Sequence, residues 1–382
     1  MVHVVAEWVF WVSIAVVVYV YLGYPLTLIL LPRRRPREGR RSERLPRVSV
    51  LIAAHNEAHV IEDTIRNKLD LDYPRELLEI IVVSDASVDG TDEKVRSFAA
   101  EGVLLIRQEH RQGKTAALNL ARDRATGEIV VFSDANSLYA KSTVRHLVGA
   151  FEDPEVGYAT GRLLYMNPGE SASAASCSAY MRYENGLRRL ETRIGSIVGV
   201  NGGVDAVRRS LYAPMRPDHL PDFILPLLVV EQGYRVVFCS EAVSREEALQ
   251  ATEDEFRMRV RVGLRALRAL VEMRRLLSVR HGRFAFQLLV HKALRYTLFV
   301  PLIAAFVANA LLGKSPGYRA VLAAHGGFYA VAILGVVGGG RGAGRFLNLP
   351  AFFLIVNVAS AVALAKLLRG ERQVQWQPRK GA

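Results

Sequence analysis

The sequence predicts an α/β fold, in which a mostly parallel β-sheet carries helices on both faces and lies between apolar segments of membrane-spanning length. Three strand-like apolar runs, which start at Val48, Leu78 and Glu128, each end in a loop rich in carboxylates and amides. Strand patterns alternate with helical patterns from about residue 47 to residue 252, as in parallel sheets. The chain has 382 residues, of which 51% are hydrophobic. This size and composition predict membrane segments in addition to one globular domain.

The first predicted element is a transmembrane helix, assigned to residues 1–32. From Trp8 to Leu31 no residue is charged, and this length crosses a hydrocarbon core as one helix. A secretory signal peptide is the alternative. The apolar stretch is too long for that, the basic run follows it, and no small-residue cleavage site is present.

A basic linker, assigned to residues 33–46, follows this helix. The positive-inside rule keeps such a cluster in the cytoplasm, which predicts an external amino terminus and a cytoplasmic catalytic domain. The net charge of +13 favours contact with anionic membrane lipids. Nucleic acid is the other partner that a basic chain suggests, but no recognised binding motif accompanies the charge. The basic residues are Arg33, Arg34, Arg35, Arg37, Arg40 and Arg41.

The globular domain is assigned to residues 47–252. Continuous apolar runs such as VSVLIAA and EIIVV are typical of strands buried on both faces. A smaller mixed portion after Glu155 completes the sheet. Gly102 and Gly127 are predicted helix stop signals. The predicted helices are Glu57 to Leu69, Thr91 to Ala100, Lys114 to Ala125 and Lys141 to Phe151.

Polar residues follow three of the predicted strands. The loops beyond the carboxyl ends of parallel strands form the ligand crevice of an open sheet, so these residues are expected at one rim. A carboxylate there needs a partner such as a cation or a hydrogen-bond donor. Helix capping explains Asp85 or Asp134 equally well when either is taken alone. The loops contain His55-Asn56-Glu57, Ser84-Asp85-Ala86 and Ser133-Asp134-Ala135-Asn136.

Two features at this rim indicate a diphosphate and a metal. Lys114 lies at the start of a predicted helix, where backbone N–H groups and an ammonium hold phosphate oxygens. The spacing of a Walker loop is absent. Asp134 and Asn136 offer hard oxygen ligands, which Mg²⁺ or Mn²⁺ combines with substrate phosphates.

These residues resemble the membrane-associated family 2 glycosyltransferases, close to the cellulose synthase-like group, which have a GT-A fold. The resemblance runs from about Arg47 to the later membrane segments, and its motifs occur in the family's order. The matching stretches are VSVLIAAHNE (48–57), IIVVSDASVDGT (80–91), GKTAALN (113–119), VFSDAN (131–136), LPDFILPLLVVEQGYRVVF (220–238) and FRMRVR (256–261).

The resemblance implies a role for each matched rim residue. Asp134 and Asn136 occupy the D-x-D motif that places Mg²⁺ or Mn²⁺ on the sugar diphosphate. Asn136 replaces the second aspartate, and its amide oxygen brings no charge, so we expect weaker metal binding or a metal that contacts only one of the pair. The implied nucleotide-sugar-binding residues are Ala53, His55, Asn56, Glu57, Asp85, Lys114 and Asp134.

Two further residues match the family's catalytic positions. Asp222 matches the base that takes a proton from the acceptor hydroxyl, which implies a single displacement with inversion. A helix N-cap is the alternative for this residue. Arg259 aligns with the arginine of the Q-x-x-R-W motif and is expected to stabilise the departing diphosphate. Phe256 and Val260 replace the Gln and Trp of that motif, which argues against a processive polymerase.

The segment assigned to residues 253–283 is predicted to be an amphipathic helix in the membrane interface. An ordinary surface helix packed on its own domain is the alternative. The residues at apolar helical spacing are Phe256, Val260, Leu264, Leu267, Leu270 and Val271. The basic residues of the complementary face are Arg257, Arg261, Arg265, Arg268, Arg274 and Arg275.

Residues 284–368 contain three more apolar segments, and a basic tail occupies residues 369–382. The segments are Tyr296 to Leu312, Val321 to Gly340 and Phe346 to Ala365. The first is short and either spans or lies partly in the interface. Three crossings would place the basic tail outside, against the charge rule, and two would keep it inside.

We therefore predict a multi-pass integral membrane enzyme, an inverting and metal-dependent glycosyltransferase. It would move sugar from a nucleotide-sugar donor, with UDP as the expected nucleotide, to a lipid-linked or glycan acceptor, as in polysaccharide biosynthesis. A catalytically silent binding or assembly subunit with the same fold is one alternative. A processive polysaccharide synthase is the other.

Overall fold

The structure is a computed structural model, which describes residues 1–34, 44–166, 172–247, 252–337 and 345–373. Much of the predicted basic linker and tail, including Arg35, Arg37, Arg40 and Arg41, lies outside the described residues. The chain divides into two compact units. The sheet unit contains residues 32–166 and 181–247. The helical unit contains residues 1–31, 167–180 and 248–371.

Eight strands form one sheet within the described residues, in the order β3-β2-β1-β4-β7-β6-β8-β5. Strands β3, β2, β1 and β4 are parallel to their neighbours in that series, and β6 is parallel to β8. Strand β7 is antiparallel to β4 and β6, and β5 is antiparallel to β8. The strands are β1 (Val48–Ala54), β2 (Leu78–Asp85), β3 (Val103–Gln108), β4 (Ile129–Asp134), β5 (Leu138–Tyr139), β6 (Val156–Tyr165), β7 (Asp205–Arg208) and β8 (Arg235–Glu246).

The α-helices fall into both units, and α7 contributes residues to each. In chain order they are α1 (Val2–Val18), α2 (Tyr24–Leu30), α3 (Ile61–Leu69), α4 (Thr91–Arg96), α5 (Lys114–Arg124), α6 (Thr143–Gly149), α7 (Ala172–Ile194), α8 (Pro221–Glu231), α9 (Thr252–Glu272), α10 (Arg283–Gln287), α11 (Phe299–Leu311), α12 (Pro316–Val337) and α13 (Arg345–Leu368). Short 3₁₀ turns extend α4 and α6 to about the predicted ends.

The three predicted central strands are confirmed, with small differences at their ends. All residues of β1 are buried, as expected for a strand covered on both faces. Strands β2 and β4 continue through Asp85 and Asp134, so these carboxylates end strands rather than follow them. The mixed α/β sheet agrees with the predicted fold class. The mixed portion predicted after Glu155 corresponds to β6–β8, whereas the short strand β5 precedes it in the chain and was not predicted.

Two glycine and helix predictions differ from the structure. Helix α3 begins at Ile61 rather than Glu57, because residues 58–60 form a turn and Val60 has the non-helical angles φ −125° and ψ −19°. The backbone N–H groups of Glu57 and Ala58 donate to the side chains of Thr91 and Asp89, which joins this turn to the neighbouring loop. Gly127 does not end helix α5. A β-carbon there would collide with the backbone of strand β1, so the glycine permits close approach of two segments.

In the helical unit, three helices of the described residues are long and apolar enough to cross a membrane. They are Val2–Leu30, which joins α1 and α2 through a π-helical turn, Pro316–Val337 and Asn348–Leu368. The short predicted segment forms α11, which is bent by 61° from the helix Arg283–Leu294 before it. This pair makes a fourth span if it crosses as one. Gly340, the predicted end of the second segment, lies outside the described residues.

The predicted amphipathic helix is α9, which packs along α13 in the helical unit. Leu264 and Leu267 of its apolar face are buried, whereas Val271 is exposed. Arg265 was assigned to the basic face, yet it is also buried. Part of the apolar face is therefore covered by another helix of the same unit, and its position relative to a membrane stays a prediction.

Candidate active site

The carboxyl ends of β1, β2 and β4 meet at one edge of the sheet, which we call the rim. Ala53 is the register partner of Val83 on one side and of Asp134 on the other. Ala53 itself is buried. Parallel strands that end together present their last side chains and their loops to one crevice.

Asp85 anchors the loop before helix α5. Its Oδ1 accepts a hydrogen bond of 2.7 Å from the Gln112 N–H, and its Oδ2 accepts one of 2.8 Å from the Gly113 N–H. The carboxylate is almost fully buried. Gly113 has a φ of 89°, a conformation that favours glycine. Asp85 therefore holds the start of α5, which carries Lys114, and it does not cap α4, the helix that follows it.

The β1 loop is fixed to the β2 loop by hydrogen bonds. Nδ1 of His55 lies 2.6 Å from the Asp85 carbonyl oxygen. Asn56 has a φ of 54°, and its Oδ1 accepts from the Val88 N–H at 2.9 Å. The Glu57 side chain is buried beside this turn. His55, Asn56 and Glu57 thus lie together with Asp85 at the rim, as the sequence predicted.

Lys114 links two carboxylates of the rim, Asp134 and Asp222. Its Nζ lies 2.6 Å from Oδ1 of Asp134 and 3.8 Å from Oδ1 of Asp222. Burial favours the neutral amine, but the nearby carboxylates raise the pKa of Lys114 above its ordinary value. The ammonium therefore stays charged. The predicted phosphate-binding lysine, metal-binding aspartate and catalytic aspartate converge in one place.

Asp222 is the second residue of helix α8, whose N-cap position is held by Leu220. The aspartate is therefore not the N-cap. Its carboxylate packs against Gly202, which has a φ of 80° and where a β-carbon would collide with it. Asp222 is 29% exposed, so its carboxylate is accessible from the crevice.

A second buried acid, Asp205, supports the loop that contains Gly202. Its Oδ2 accepts from the Gly202 N–H and from the Tyr158 hydroxyl, each at 2.9 Å, and its Oδ1 accepts from Thr160. Burial, together with the charge of Asp222, raises the pKa of Asp205 to about 7, although these hydrogen bonds oppose the change. Asp205 thus connects the sheet to the loop that packs on the proposed base.

Glu246, at the end of β8, brings another carboxylate to the rim. The glutamate is buried and accepts a hydrogen bond from the Ser137 hydroxyl. A β-carbon at Gly203 would collide with the Glu246 carboxylate and would lie 3.5 Å from Oδ2 of Asp134. Gly203 therefore allows the two acids to approach each other.

The rim suits a divalent cation whose ligands come partly from the protein and partly from a bound diphosphate. Among the described residues, no group of three or more His, Cys, Asp or Glu side chains could hold a metal ion by itself. Asp134 nevertheless already receives a cation, the Lys114 ammonium, and Asn136 follows it by two residues. Mg²⁺ typically takes one or two carboxylates and completes its shell with water and phosphates. The donor set therefore fits Mg²⁺ or Mn²⁺ bound together with a diphosphate.

Sequence reasoning missed Asp205, Glu246 and Lys68. The first two lie at strand ends, and nothing in their local pattern separates them from surface acids. Lys68 is a fully buried residue of helix α3. Burial lowers the pKa of Lys68 to about 7, although the charge of Glu246 opposes this. Its one sequence signal is its position, four residues after Thr64 on a face that also carries Ile61 and Ile65.

Arg259, a predicted site residue, lies in the helical unit and not in the sheet unit that forms the rim. It belongs to α9 in the helical unit, where its guanidinium lies 2.5 Å from Glu255 and 4.4 Å from the ring centre of Phe352. Its predicted role toward the diphosphate stays a prediction.

The sequence matches a known family over the part of the chain that forms most of the rim. Residues 49–210 match the family described as Glycosyl transferase family 2. A probable glycosyltransferase of Bacillus subtilis, YdaM, is 28% identical over 267 residues, which are 66% of this chain and 62% of that protein. A beta-monoglucosyldiacylglycerol synthase of Trichormus variabilis is 30% identical over 192 residues, 49% of this chain and 41% of that protein. These alignments thus span less than two thirds of either relative.

A solved structure has the same architecture. It is a mannosyltransferase from Pyrobaculum calidifontis in complex with GDP-Man and Mn²⁺, with a TM-score of 0.73 and 23% identity. The match covers 97% of this chain and 100% of that one. At this identity the likeness shows the fold alone.

Proposed function

Because residues 49–210 match the family described as Glycosyl transferase family 2, we propose that the chain transfers a sugar from a nucleotide-sugar donor to an acceptor hydroxyl, with inversion. The observation that carries this proposal is the position of Lys114 between Asp134 and Asp222, at 2.6 and 3.8 Å. A phosphate-binding cation, a metal-binding acid and a base are the three groups that such a transfer needs. We take residues 47–252 as the catalytic domain.

The donor is held at the rim through its diphosphate and its nucleoside. Lys114 binds a diphosphate oxygen, and Asp134 with Asn136 would hold Mg²⁺ or Mn²⁺. The metal, when bound, supplies positive charge to the leaving diphosphate. Ala53, His55, Asn56 and Glu57 line the nucleoside side, and Asp85 fixes the loop that carries Lys114. UDP is the first nucleotide to test, and GDP is the second because the Pyrobaculum protein was solved with GDP-Man.

Asp222 acts as the general base. Its carboxylate takes the proton of the acceptor hydroxyl while the oxygen attacks the anomeric carbon. The bond between that carbon and the diphosphate oxygen breaks, and its electron pair leaves with the nucleoside diphosphate. One displacement inverts the anomeric configuration, and no enzyme nucleophile is required.

The acceptor is proposed to be a lipid or a lipid-linked glycan at the cytoplasmic face of the membrane. Three helices of spanning length support membrane attachment. The Trichormus relative is named as a synthase of a glucosylated diacylglycerol. The basic linker at residues 33–46 favours a cytoplasmic catalytic domain by the positive-inside rule.

Nucleotide release tests the proposal. The full chain in lipid would receive UDP- and GDP-sugars, Mg²⁺ or Mn²⁺ and membrane lipids, and the products would be identified by mass spectrometry. Asp222→Asn is expected to lower turnover by about 10²- to 10⁴-fold and to leave nucleotide binding close to wild type. Asp123→Asn, at an exposed position of α5, is the control.

The alternatives give different results in the same experiment. A catalytically silent subunit would release no nucleotide from any donor, with wild type and Asp222→Asn alike. A processive synthase would yield a ladder of products rather than one or a few additions. Equal loss of nucleotide binding and turnover in Asp222→Asn would instead indicate a structural role for this aspartate.

A further inference from the structure

Helix α3 presents a polar face to the segment that follows Asp134. Thr64, Asn67 and Lys68 stand at positions i, i+3 and i+4, which share one side of a helix. Thr64 and Lys68 are fully buried. An apolar face is the usual choice for a helix packed on a sheet, so buried polar residues here need specific partners.

All three side chains bind the main chain of residues 135–139. The Thr64 hydroxyl donates to the Ala135 carbonyl at 2.7 Å, and the Lys68 ammonium donates to the Ser137 carbonyl at 2.5 Å. Asn67 donates to the Tyr139 carbonyl at 2.9 Å and accepts from the Tyr139 N–H at 2.7 Å. Helix α3 therefore makes hydrogen bonds to alternate residues of the segment, all from one side.

The same segment is held on its other side by the sheet. Leu138 and Tyr139 form strand β5 and pair with Arg245 and Ser244 of β8. The Tyr139 hydroxyl donates to the carbonyls of Phe132 and Gly203, at 2.6 and 3.0 Å. The main chain just after Asp134 is thus fixed between a helix and a strand.

Lys68 holds this backbone with a buried amino group. Its ammonium is fully buried, next to the carbonyl of Ser137, the Oδ1 of Asn67 at 3.0 Å and the ring of Tyr139 at 3.9 Å. These partners are uncharged, and a buried charge costs free energy unless it is well compensated. An apolar side chain of similar size is often neutral or stabilising at such a site. Stability alone therefore does not account for a lysine.

Lys68 is connected to the site carboxylates through Ser137. Ser137, whose carbonyl accepts from Lys68, donates its hydroxyl to Glu246. Glu246 in turn approaches Asp134 across Gly203. When protonated, the lysine offsets negative charge behind the rim, and its amino group fixes the main chain that carries Asp134 and Asn136.

We propose that Thr64, Asn67 and Lys68 are positioning residues that orient the Asp134 to Asn136 segment for its divalent cation and the donor diphosphate. This inference rests on the proposed function, because it takes Asp134 and Asn136 as the groups that hold the cation. Partners that orient metal ligands typically change metal affinity by about 10- to 100-fold when they are removed.

Mn²⁺ binding to the full chain, measured by electron paramagnetic resonance with and without UDP or GDP, tests this without any transfer reaction. Thr64→Val removes one donor at nearly constant volume, and Lys68→Met removes the ammonium. Each is expected to raise the Kd for Mn²⁺ by about tenfold or more. Thr64→Ser keeps the hydroxyl and is expected to bind like wild type. Lys94→Met, at an exposed lysine, is the charge control.

The sign of the Lys68→Met effect separates two roles. Loss of a nearby positive charge by itself strengthens cation binding, whereas loss of positioning weakens it. Tighter or unchanged Mn²⁺ binding in Lys68→Met would overturn the proposal, as would equal affinities for Thr64→Val and Thr64→Ser. A purely structural role would lower the melting temperature and leave the Kd unchanged.

Two controls keep the outcomes distinct. If Lys68→Met does not fold, the Thr64→Val and Thr64→Ser pair decides the question. If wild type binds Mn²⁺ but transfers no sugar, the proposed function fails and the positioning role stands. If wild type transfers sugar but both variants bind Mn²⁺ normally, or if wild type does not bind Mn²⁺, the positioning role fails.

Discussion

Asp205→Asn is predicted to remove part of the pH dependence of stability in the sheet unit. Burial raises the pKa of Asp205 from 3.8 to about 7. The folded state therefore binds a proton that the unfolded state releases at lower pH. The stability contribution is fully present below about pH 4 and is lost as the pH rises through about 7. Across this window it amounts to about 4 kcal/mol.

Asparagine has nearly the same shape and cannot ionise, so it removes this dependence. Between pH 5 and pH 8 the stability of Asp205→Asn relative to wild type should rise by about 3 kcal/mol. For a domain of this size that is a shift of roughly 6 to 12 °C in the difference between the two melting temperatures. The amide oxygen can still accept from the Gly202 N–H, so the loop geometry is expected to persist.

The assay is thermal unfolding of the full chain in detergent at several pH values, with wild type and variant compared at each. Asp123→Asn, which removes an exposed carboxylate, controls for the general effect of charge. A difference in melting temperature that is the same at pH 5 and pH 8 would refute the argument. It would mean that Asp205 ionises as easily in the folded protein as in the unfolded chain.

Three further predictions concern the rim. Asp134→Ala should weaken Mn²⁺-dependent nucleotide binding by about tenfold or more, and calorimetry that gave the same affinity with and without the ion in both proteins would contradict the metal role. Gly202→Ala should abolish most transfer with little loss of nucleotide binding, because the methyl group displaces Asp222; full activity in nucleotide release would show that the contact is not needed. Asp85→Ala leaves the N–H groups of Gln112 and Gly113 unpaired, so the KM for the donor should rise about tenfold, and an unchanged KM would argue against an anchoring role.

The sheet and most of the rim were predictable because the signals are local. Strand Val48–Ala54 is apolar at every position except Ser49, which is typical of burial on both faces. The carboxyl ends of parallel strands share one edge, so the placement of Asp85 and Asp134 at the same rim followed from topology. The predicted start of α3 was wrong. The backbone before Ile61 forms a turn, and the N–H groups of residues 57 and 58 in it donate to a loop about 30 positions away in the sequence.

The residues that support the rim were not predictable, because their contacts are made with distant parts of the chain. Glu246 and Asp205 reach it through pairings with segments that are distant in sequence, and a single strand-end acid carries no mark of such a partner. Lys68 lies in helix α3, and a lysine in an amphipathic helix is ordinarily expected on the exposed face, so its burial was not predicted. The family motif alone suggested Arg259, and in the structure this guanidinium is engaged by Glu255 and Phe352 in the helical unit.

On the proposed function, the rim is arranged for its substrate. Three acids, Asp134, Asp222 and Glu246, would repel one another, and the ammonium of Lys114 holds the first two together. With a cation held at Asp134 and a diphosphate beside it, Lys114 would exchange a carboxylate oxygen for a phosphate oxygen. The charge around it changes little, so little rearrangement is required. Such preorganisation would explain the position of Lys114 between Asp134 and Asp222.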